Sequence, residues 1–266
     1  MCFETKVATG WTHAIELLYA DSWDSKLRRY RSGLAFRGLS DLKYHLDTGL
    51  MRLGREQVRI EQHLIRNFRK YARLGDGGGQ VSDWMALTLG QHHGLPTRLL
   101  DWTYSPFAAL HFCTASTERF DRDGVIWCVD YSATLELLPK QLRDVLEGAD
   151  AFTVGMIEKV APTLAGFDGL AAAPFAAFFE PPSSDERIVN QFALFSVLSD
   201  PSMSFDGWLR RNEVSCRRIV IPKELKWEVR DKLDQANITE RVLFPGLDGL
   251  AAWLKRHYSH GPTAPI

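Results

Sequence analysis

The chain has 266 residues, 45% hydrophobic and 24% charged, with 15 Phe and 8 Trp to fill a core. Its 32 Lys and Arg against 33 Asp and Glu give a formal charge of −1, which excludes polyanion binding through overall charge. No apolar run approaches the ~18 residues of a membrane span and the N-terminus lacks a signal-peptide pattern, so a soluble cytoplasmic protein without a membrane partner is expected.

Trp11 to Tyr19 puts Ile15, Leu18 and Tyr19 on helical spacing and reads as a first helix. A charged patch, Lys26 to Arg31, follows. Gly33 to Gly38, GLAFRG, is a short apolar run ending in Arg-Gly and reads as a strand. Arg37 is expected either to project from the strand end into a cleft, with Gly38 letting a ligand approach the backbone, or to pair with a buried carboxylate. From Arg55 to Tyr71 the period turns helical, with Ile60, Leu64, Phe68 and Tyr71 on one face. Gly75 to Gly79, GDGGG, ends that helix but lacks the GxxxxGK[ST] order of a phosphate loop. Asp83 to Leu89 reads as a short helix stopped by Gly90.

Gln91 to Phe112, QHHGLPTRLLDWTYSPFAALHF, is the densest stretch. Ser105 then Pro106 mark a helix start: the hydroxyl accepts an orphan N–H, and proline gives up a donor with no partner there. The helix that follows is apolar on most faces and should be buried. His92, His93, Arg98, Asp101, Thr103 and Ser105 crowd its entry, as in the floor of a site or in a local polar network around a cap. Two adjacent histidines on an extended segment point to opposite sides, so at most one serves a given site.

Gly124 to Tyr131 is a buried strand, and Ser132 to Val160 looks helical. Pro162 to Pro182, rich in Ala, Phe, Gly and Pro, reads as a packed loop. Arg187 to Leu198 reads as a strand with Gln191 in it, and Val214 to Ile221 as another. Lys223 to Ala236 is an amphipathic helix with Leu225, Val229 and Leu233 inward. Ile238 to Phe244 reads as a short strand carrying Glu240. Asp248 caps a terminal helix with Leu250, Leu254 and Tyr258 on one side. Residues 259–266 read as a frayed tail. Helices and strands mix without βαβ regularity, so the expectation is α+β, one domain over 1–258, a mixed sheet with surrounding helices and a helical N-terminal portion.

Lys26 to Arg73 holds thirteen Lys or Arg against four Asp or Glu, a local +9, which permits an anionic ligand, nucleotide or nucleic acid in the 26–73 region. Cys2, Cys113, Cys128 and Cys216 have neither metal-ligand nor disulfide-framework spacing. No metal site is expected.

Four segments in order, Phe36-Arg37-Gly38, the 91–112 stretch, RIVNQFALF at 187–195 and LFPGLDGLA at 243–251, resemble the FRG domain family, with Ala193 where its Gln-x-Gly-x-Phe pattern has glycine. A more distant similarity is to the Arg-Ser-Glu class of ADP-ribosyltransferases. Arg37-Gly38 resembles its first-strand Arg, Thr103-Tyr104-Ser105 with Ala109 to Phe112 its second element, and Glu240 before Val242-Leu243-Phe244-Pro245 its late-strand Glu, offset by one residue. That resemblance implies a split sheet and NAD as substrate. It implies Glu240, Arg37 and Ser105 as catalytic, and Arg37, Gly38, His92, Arg98, Asp101, Thr103, Ser105 and Gln191 as the NAD-binding set. His92, His93 or Asp101 would act as base for an unidentified protein or nucleic-acid acceptor, in a toxin or defence effector. Two other classes stay open: a non-catalytic nucleic-acid or nucleotide-binding module, and a hydrolase or nuclease using His92, His93 and Asp101.

Overall fold

The computed structural model describes residues 3–54, 56–73, 81–146, 148–149, 151–183 and 185–259. Its strands are β1 (Phe3–Val7), β2 (Trp23–Asp24), β3 (Arg29–Tyr30), β4 (Leu34–Leu39), β5 (Leu99–Thr103), β6 (Gly124–Asp130), β7 (Phe152–Thr153), β8 (Ala176–Glu180), β9 (Ala193–Leu198) and β10 (Cys216–Ile221). Its helices are α1 (Trp11–Tyr19), α2 (Gln57–Tyr71), α3 (Asp83–His92), α4 (Pro106–Cys113), α5 (Lys140–Leu146), α6 (Val154–Val160), α7 (Leu164–Asp168), α8 (Glu186–Asn190), α9 (Phe205–Arg211), α10 (Lys226–Gln235), α11 (Glu240–Leu243) and α12 (Leu247–His257). The fold is α+β, as expected: an eight-stranded mixed sheet of order β1-β10-β6-β4-β5-β9-β8-β7, surrounded by helices. The outermost pairs, β1 with β10 and β7 with β8, are parallel and the rest antiparallel.

The sheet is nearly two sheets. β6 pairs with β4 over six residues and β9 with β5 over five, yet β4 meets β5 at one position, Phe36 opposite Thr103. Beyond it the strands diverge, and this fork organises the molecule. On one face a single apolar core crosses both halves, joining Ala35, Trp127 and Val129 to Trp102, Phe178 and Leu194, with Phe205 and Trp208 of α9 packed on it. On the other face the core is divided. Phe36, Ile126, Cys128 and Ile219 pack under α1, α4 and α10, whereas Leu99, Phe179, Phe195 and Val197 pack under α3, α5, α6 and α7. Side chains alternate along a strand, so each strand feeds both faces.

Several elements differ from the sequence reading. Instead of a wholly helical start, the N-terminal residues form β1, which extends the sheet by pairing with β10. The 162–182 stretch is not a loop. It supplies α7 and β8, and β8 is buried on both faces, so its Ala-Phe run shows no alternation. The 187–198 run breaks in two: Asp185 caps α8, Phe192 takes φ 48°, and only then does β9 begin. The left-handed turn is thus at Phe192, next to Ala193. α3 runs through Gly90, where a side chain would meet Leu95 at 2.8 Å, and ends at His92, with the chain turning away at Gly94, φ 80°. The two histidines therefore sit at a helix end, with rings 5.0 Å apart, and not on an extended segment. α2 and α12 bury polar faces. α2 buries Glu61 and Ile65 while Tyr71 is 75% exposed, and α12 buries Gly249 and Arg256 while Leu250 and Leu254 face outward in part. An inward carboxylate in α2 and an inward guanidinium in α12 rotate each helix from the face that apolar periodicity assigns, leaving Ile60, Leu64 and Phe68 half-buried. The GDGGG segment and residues 260–266 lie outside the described residues. Among those described, no helix is long and apolar enough to cross a membrane.

Candidate functional site

The Phe-Arg-Gly tripeptide is read best from the fork. Phe36 is buried among Ala109, Leu110 and Cys113. Gly38 lies so close to α4 that an added Cβ would sit 1.9 Å from the Ala109 carbonyl oxygen and 2.6 Å from the Cys113 nitrogen. Its missing side chain therefore admits a helix, while its backbone borders the cleft described below. Arg37, between them, reaches across the fork. Its Nη1 donates to the Asp101 carbonyl oxygen and lies 3.6 Å from the Asp101 carboxylate. The guanidinium thus satisfies a β5 carbonyl where the ladder has stopped. Burial lowers the Arg37 pKa against the opposing pull of Asp101, and its Nε has no partner among the described residues.

A cleft of about 290 Å³ opens here, between the two half-cores. β4 gives it Phe36 to Leu39, β5 gives Asp101 to Thr103, and β9 gives Ala193 and Phe195. α3 adds Gln91 and His92, α8 adds Arg187 and Ile188, Gln191 follows α8, and Tyr44 and Phe112 complete the wall. Asp101 is the half-exposed carboxylate of the cleft, 57% accessible, and is held in orientation. Gln91 Nε2 donates to both of its oxygens, at 3.0 and 2.9 Å, while Gln91 Oε1 accepts from Thr97. His92 Nε2 lies 3.1 Å from Asp185, and its carbonyl accepts from Arg187, whose guanidinium stacks 4.7 Å over Phe244. Thr103 Oγ1 donates to the Gln191 carbonyl, and the Gln191 amide donates to the Leu243 carbonyl. These two residues tie β5, α8 and α11 together.

Arg37, Gly38, His92, Asp101, Thr103 and Gln191 are thus brought together, and three expected site residues are not. Ser105 is the cap of α4: its hydroxyl accepts from the Ala108 N–H, and it does not line the cleft. Arg98 lies elsewhere as a buried ionic node, with Nε 2.8 Å from Glu61 and Nη1 2.5 Å from Asp168. Glu240 is on a helix, not a strand, because Asn237 turns the chain with φ 60° and Thr239 opens a helical turn. It accepts from Arg256 at 2.7 Å and lines a separate hollow beside Ala252 and Arg256. The Arg98 and Glu240 partners, Glu61, Asp168, Arg230 and Arg256, lie outside the motif segments. Gln91, Phe112 and Arg187 stand in the motif segments but were not expected as site residues, and Tyr44 lies outside those segments. Only the fold brings them to Arg37.

The Glu240 cluster governs acid stability. His111, fully buried, accepts through Nδ1 from Arg230 at 2.8 Å, and burial together with the Arg230 charge pushes its pKa down to about 3. Burial opposes ionisation of Glu240, but the Arg256 hydrogen bonds and the Arg230 charge outweigh it and hold that pKa at about 2. The unfolded chain binds a proton at His111 near pH 6.5 that the folded chain refuses, so stability falls as pH drops from 6.5 toward 3. Glu240 adds a further loss from 4.5 toward 2. Between pH 7 and pH 5, urea unfolding should show a loss of about 2 kcal/mol from His111, absent in His111→Gln, which keeps an acceptor for Arg230 but does not titrate. An equal loss in the variant would remove His111 as its source.

Among the described residues, no group of three or more His, Cys, Asp or Glu side chains could hold a metal ion. No curated protein and no solved structure matches the chain. A family match takes in β4, the fork, α3 and α4 but not α8 or β9, which close the cleft from the other side: residues 32–122 match the FRG domain.

Proposed function

We propose that the fork cleft binds NAD and that the protein transfers ADP-ribose from it to an acceptor yet to be identified. The observation that carries this reading is the fork itself, which turns a guanidinium, an oriented carboxylate and aromatic walls toward one hollow. Arg37 and Arg187 suit the pyrophosphate, as planar donors that stay charged. Tyr44, Phe112 and Phe195 offer apolar walls for a ring. The volume is at the low end for small-molecule sites, enough for one nucleoside half with the remainder outside. Since Glu240 faces Arg256, the carboxylate role passes to Asp101. It would accept from a ribose hydroxyl and stabilise positive charge on the sugar as nicotinamide leaves. His92, whose Nε2 lies 3.1 Å from Asp185, lines the same cleft and would serve the acceptor as base.

The second reading, nucleotide binding without turnover, is favoured by the Arg37–Asp101 contact, which engages the two groups with each other. Calorimetric titration with NAD and nicotinamide release in lysate separate the two. Arg37→Ala should weaken NAD binding by about 10- to 100-fold, as expected for losing a charge-assisted hydrogen bond. Asp101→Asn should keep binding within a few-fold and abolish release. Glu240→Gln should lower the melting temperature and leave NAD affinity unchanged. Binding without release supports the second reading. No binding of NAD by the wild type ends both.

A further inference from the structure

β2 and β3 form a ribbon outside the main sheet, pairing Trp23 with Tyr30 and Asp24 with Arg29. A two-stranded hairpin is marginal by itself, and this one is held by local devices. Asp24 Oδ1 accepts from the Lys26 and Leu27 N–H groups, Arg28 takes φ 53° at the turn, and the Arg31 N–H donates to the Ser22 carbonyl at 2.6 Å. What the ribbon displays is unusual for a free surface. Trp23 is 53% exposed and Tyr30 64%, with Leu27 exposed at the tip. Directly opposite residues of an antiparallel pair share one face, so the two rings lie together. Their centroids are 5.1 Å apart and their planes 67° apart, an edge-to-face contact that sandwiches neither ring.

Lys26, Arg28, Arg29 and Arg31 stand within the same ribbon, all exposed; Arg29, paired with Asp24, alternates to the face opposite the rings. No ion pair or hydrogen bond engages their side chains among the described residues. The acid within the ribbon, Asp24, has a carboxylate oxygen committed to the turn. In a chain of net charge −1, four cations and two aromatic rings within nine residues form a local site for a polyanion with flat groups.

We infer that this ribbon docks single-stranded nucleic acid. The arginines pair with phosphates, and Trp23 and Tyr30 stack bases, which is the combination single strands present and duplexes hide. Three of the four cations are Arg, whose planar donors suit phosphate oxygens and also stack on bases. An anionic membrane is the competing partner for aromatic and basic groups together. The apolar surface here is three side chains on a short ribbon, far less than the face of an interfacial helix. The inference stands independently of the fork cleft.

The test is fluorescence anisotropy of the purified chain with a labelled oligouridylate and a labelled oligothymidylate at two salt concentrations. Vesicles containing phosphatidylserine are assayed alongside by sedimentation. Trp23→Ala with Tyr30→Ala should weaken binding at least about tenfold at both salts, since stacking is insensitive to salt. Arg28→Ala with Arg29→Ala and Arg31→Ala should weaken binding and lower the salt slope by about 2, each phosphate contact on a single strand contributing about 0.7. All five side chains are exposed, so melting temperatures should stay near wild type, and a variant that keeps its melting temperature reports on binding alone. Three outcomes overturn the inference: no retention of either oligonucleotide at low salt, retention that both variants leave unchanged, or binding to the vesicles without binding to the oligonucleotides.

Discussion

Arg98→Met should destabilise the protein by about 3–5 kcal/mol at pH 7, the cost of leaving a buried charge without its partner. Arg98 is 2% exposed and spends its donors completely: Nε and Nη2 on Glu61, Nη1 and Nη2 on Asp168, and the last Nη1 proton on the Leu198 carbonyl at 3.5 Å. Glu61 is on α2 and Asp168 ends α7, so one guanidinium staples two helices to the strand that leads into the fork. Burial raises the pKa of both carboxylates, and Arg98 opposes that rise. Burial also disfavours the charged guanidinium, but the two carboxylates more than compensate and raise the Arg98 pKa. Without Arg98, Glu61 keeps the burial effect and the repulsion from Asp168, both of which raise its pKa. A carboxyl whose folded pKa exceeds its unfolded value stabilises below about pH 4.5 and loses that contribution as pH rises. The deficit of Arg98→Met should therefore be smaller at pH 5 than at pH 7, opposite to the His111 effect. Adding Glu61→Leu should recover part of the loss, because an apolar pair can replace a buried ionic one. Urea unfolding at the two pH values measures both. A variant within about 1 kcal/mol of wild type would show that the staple carries no net stability.

The same residue shows where sequence reading stops. Arg98 stands in the densest polar stretch of the chain, and its neighbours Asp101 and Thr103 do line the cleft, yet its side chain goes the other way to partners 37 and 70 residues distant. Local signals were legible where the physics is local. Ser105-Pro106 caps α4 as its side chains dictate, and the apolar runs at β4 and β6 are strands. Glu240 was misread because seven residues are too few to tell a four-residue helix from a short strand, and the Asn237 turn and the Arg256 and Arg230 partners of Glu240 lie outside the local apolar pattern. α12 failed for a related reason: its buried face is made by a glycine and an arginine, which no hydrophobic periodicity reports. The cleft itself was half legible. Arg37, Gln91 and Asp101 belong to stretches that draw attention, but Arg187 gains its place only because β5 pairs with β9 and α8 folds back over the fork.

Gly38→Ala should be among the most damaging one-carbon changes in the chain, costing about 3 kcal/mol or more. The new methyl would have to occupy space 1.9 Å from the Ala109 carbonyl oxygen and 2.6 Å from the Cys113 nitrogen, both backbone atoms that cannot rotate aside. α4 cannot simply retreat. Ser105 caps it, and the Ser105 N–H donates to Thr103 Oγ1 at 2.9 Å, so its start is fixed to the end of β5. Separating α4 from β4 would open the core around Phe36, Ala109, Leu110 and Cys113. At this chain length each kcal/mol moves the melting temperature by roughly 2–4 °C, so a fall of about 6–12 °C is expected. Gly10→Ala is the control: nothing lies within 4 Å of its added Cβ and its φ of 174° is ordinary extended backbone, so the change should stay within about 0.5 kcal/mol. The consequence for the site follows from the same geometry. Moving β4 away from α4 shifts Arg37 relative to the Asp101 carbonyl it bridges, so Gly38→Ala should weaken NAD binding even at temperatures where the variant is folded. If the variant melts with wild type, α4 and β4 are not in the contact described, and the packing account of the Phe36-Arg37-Gly38 sequence fails with it.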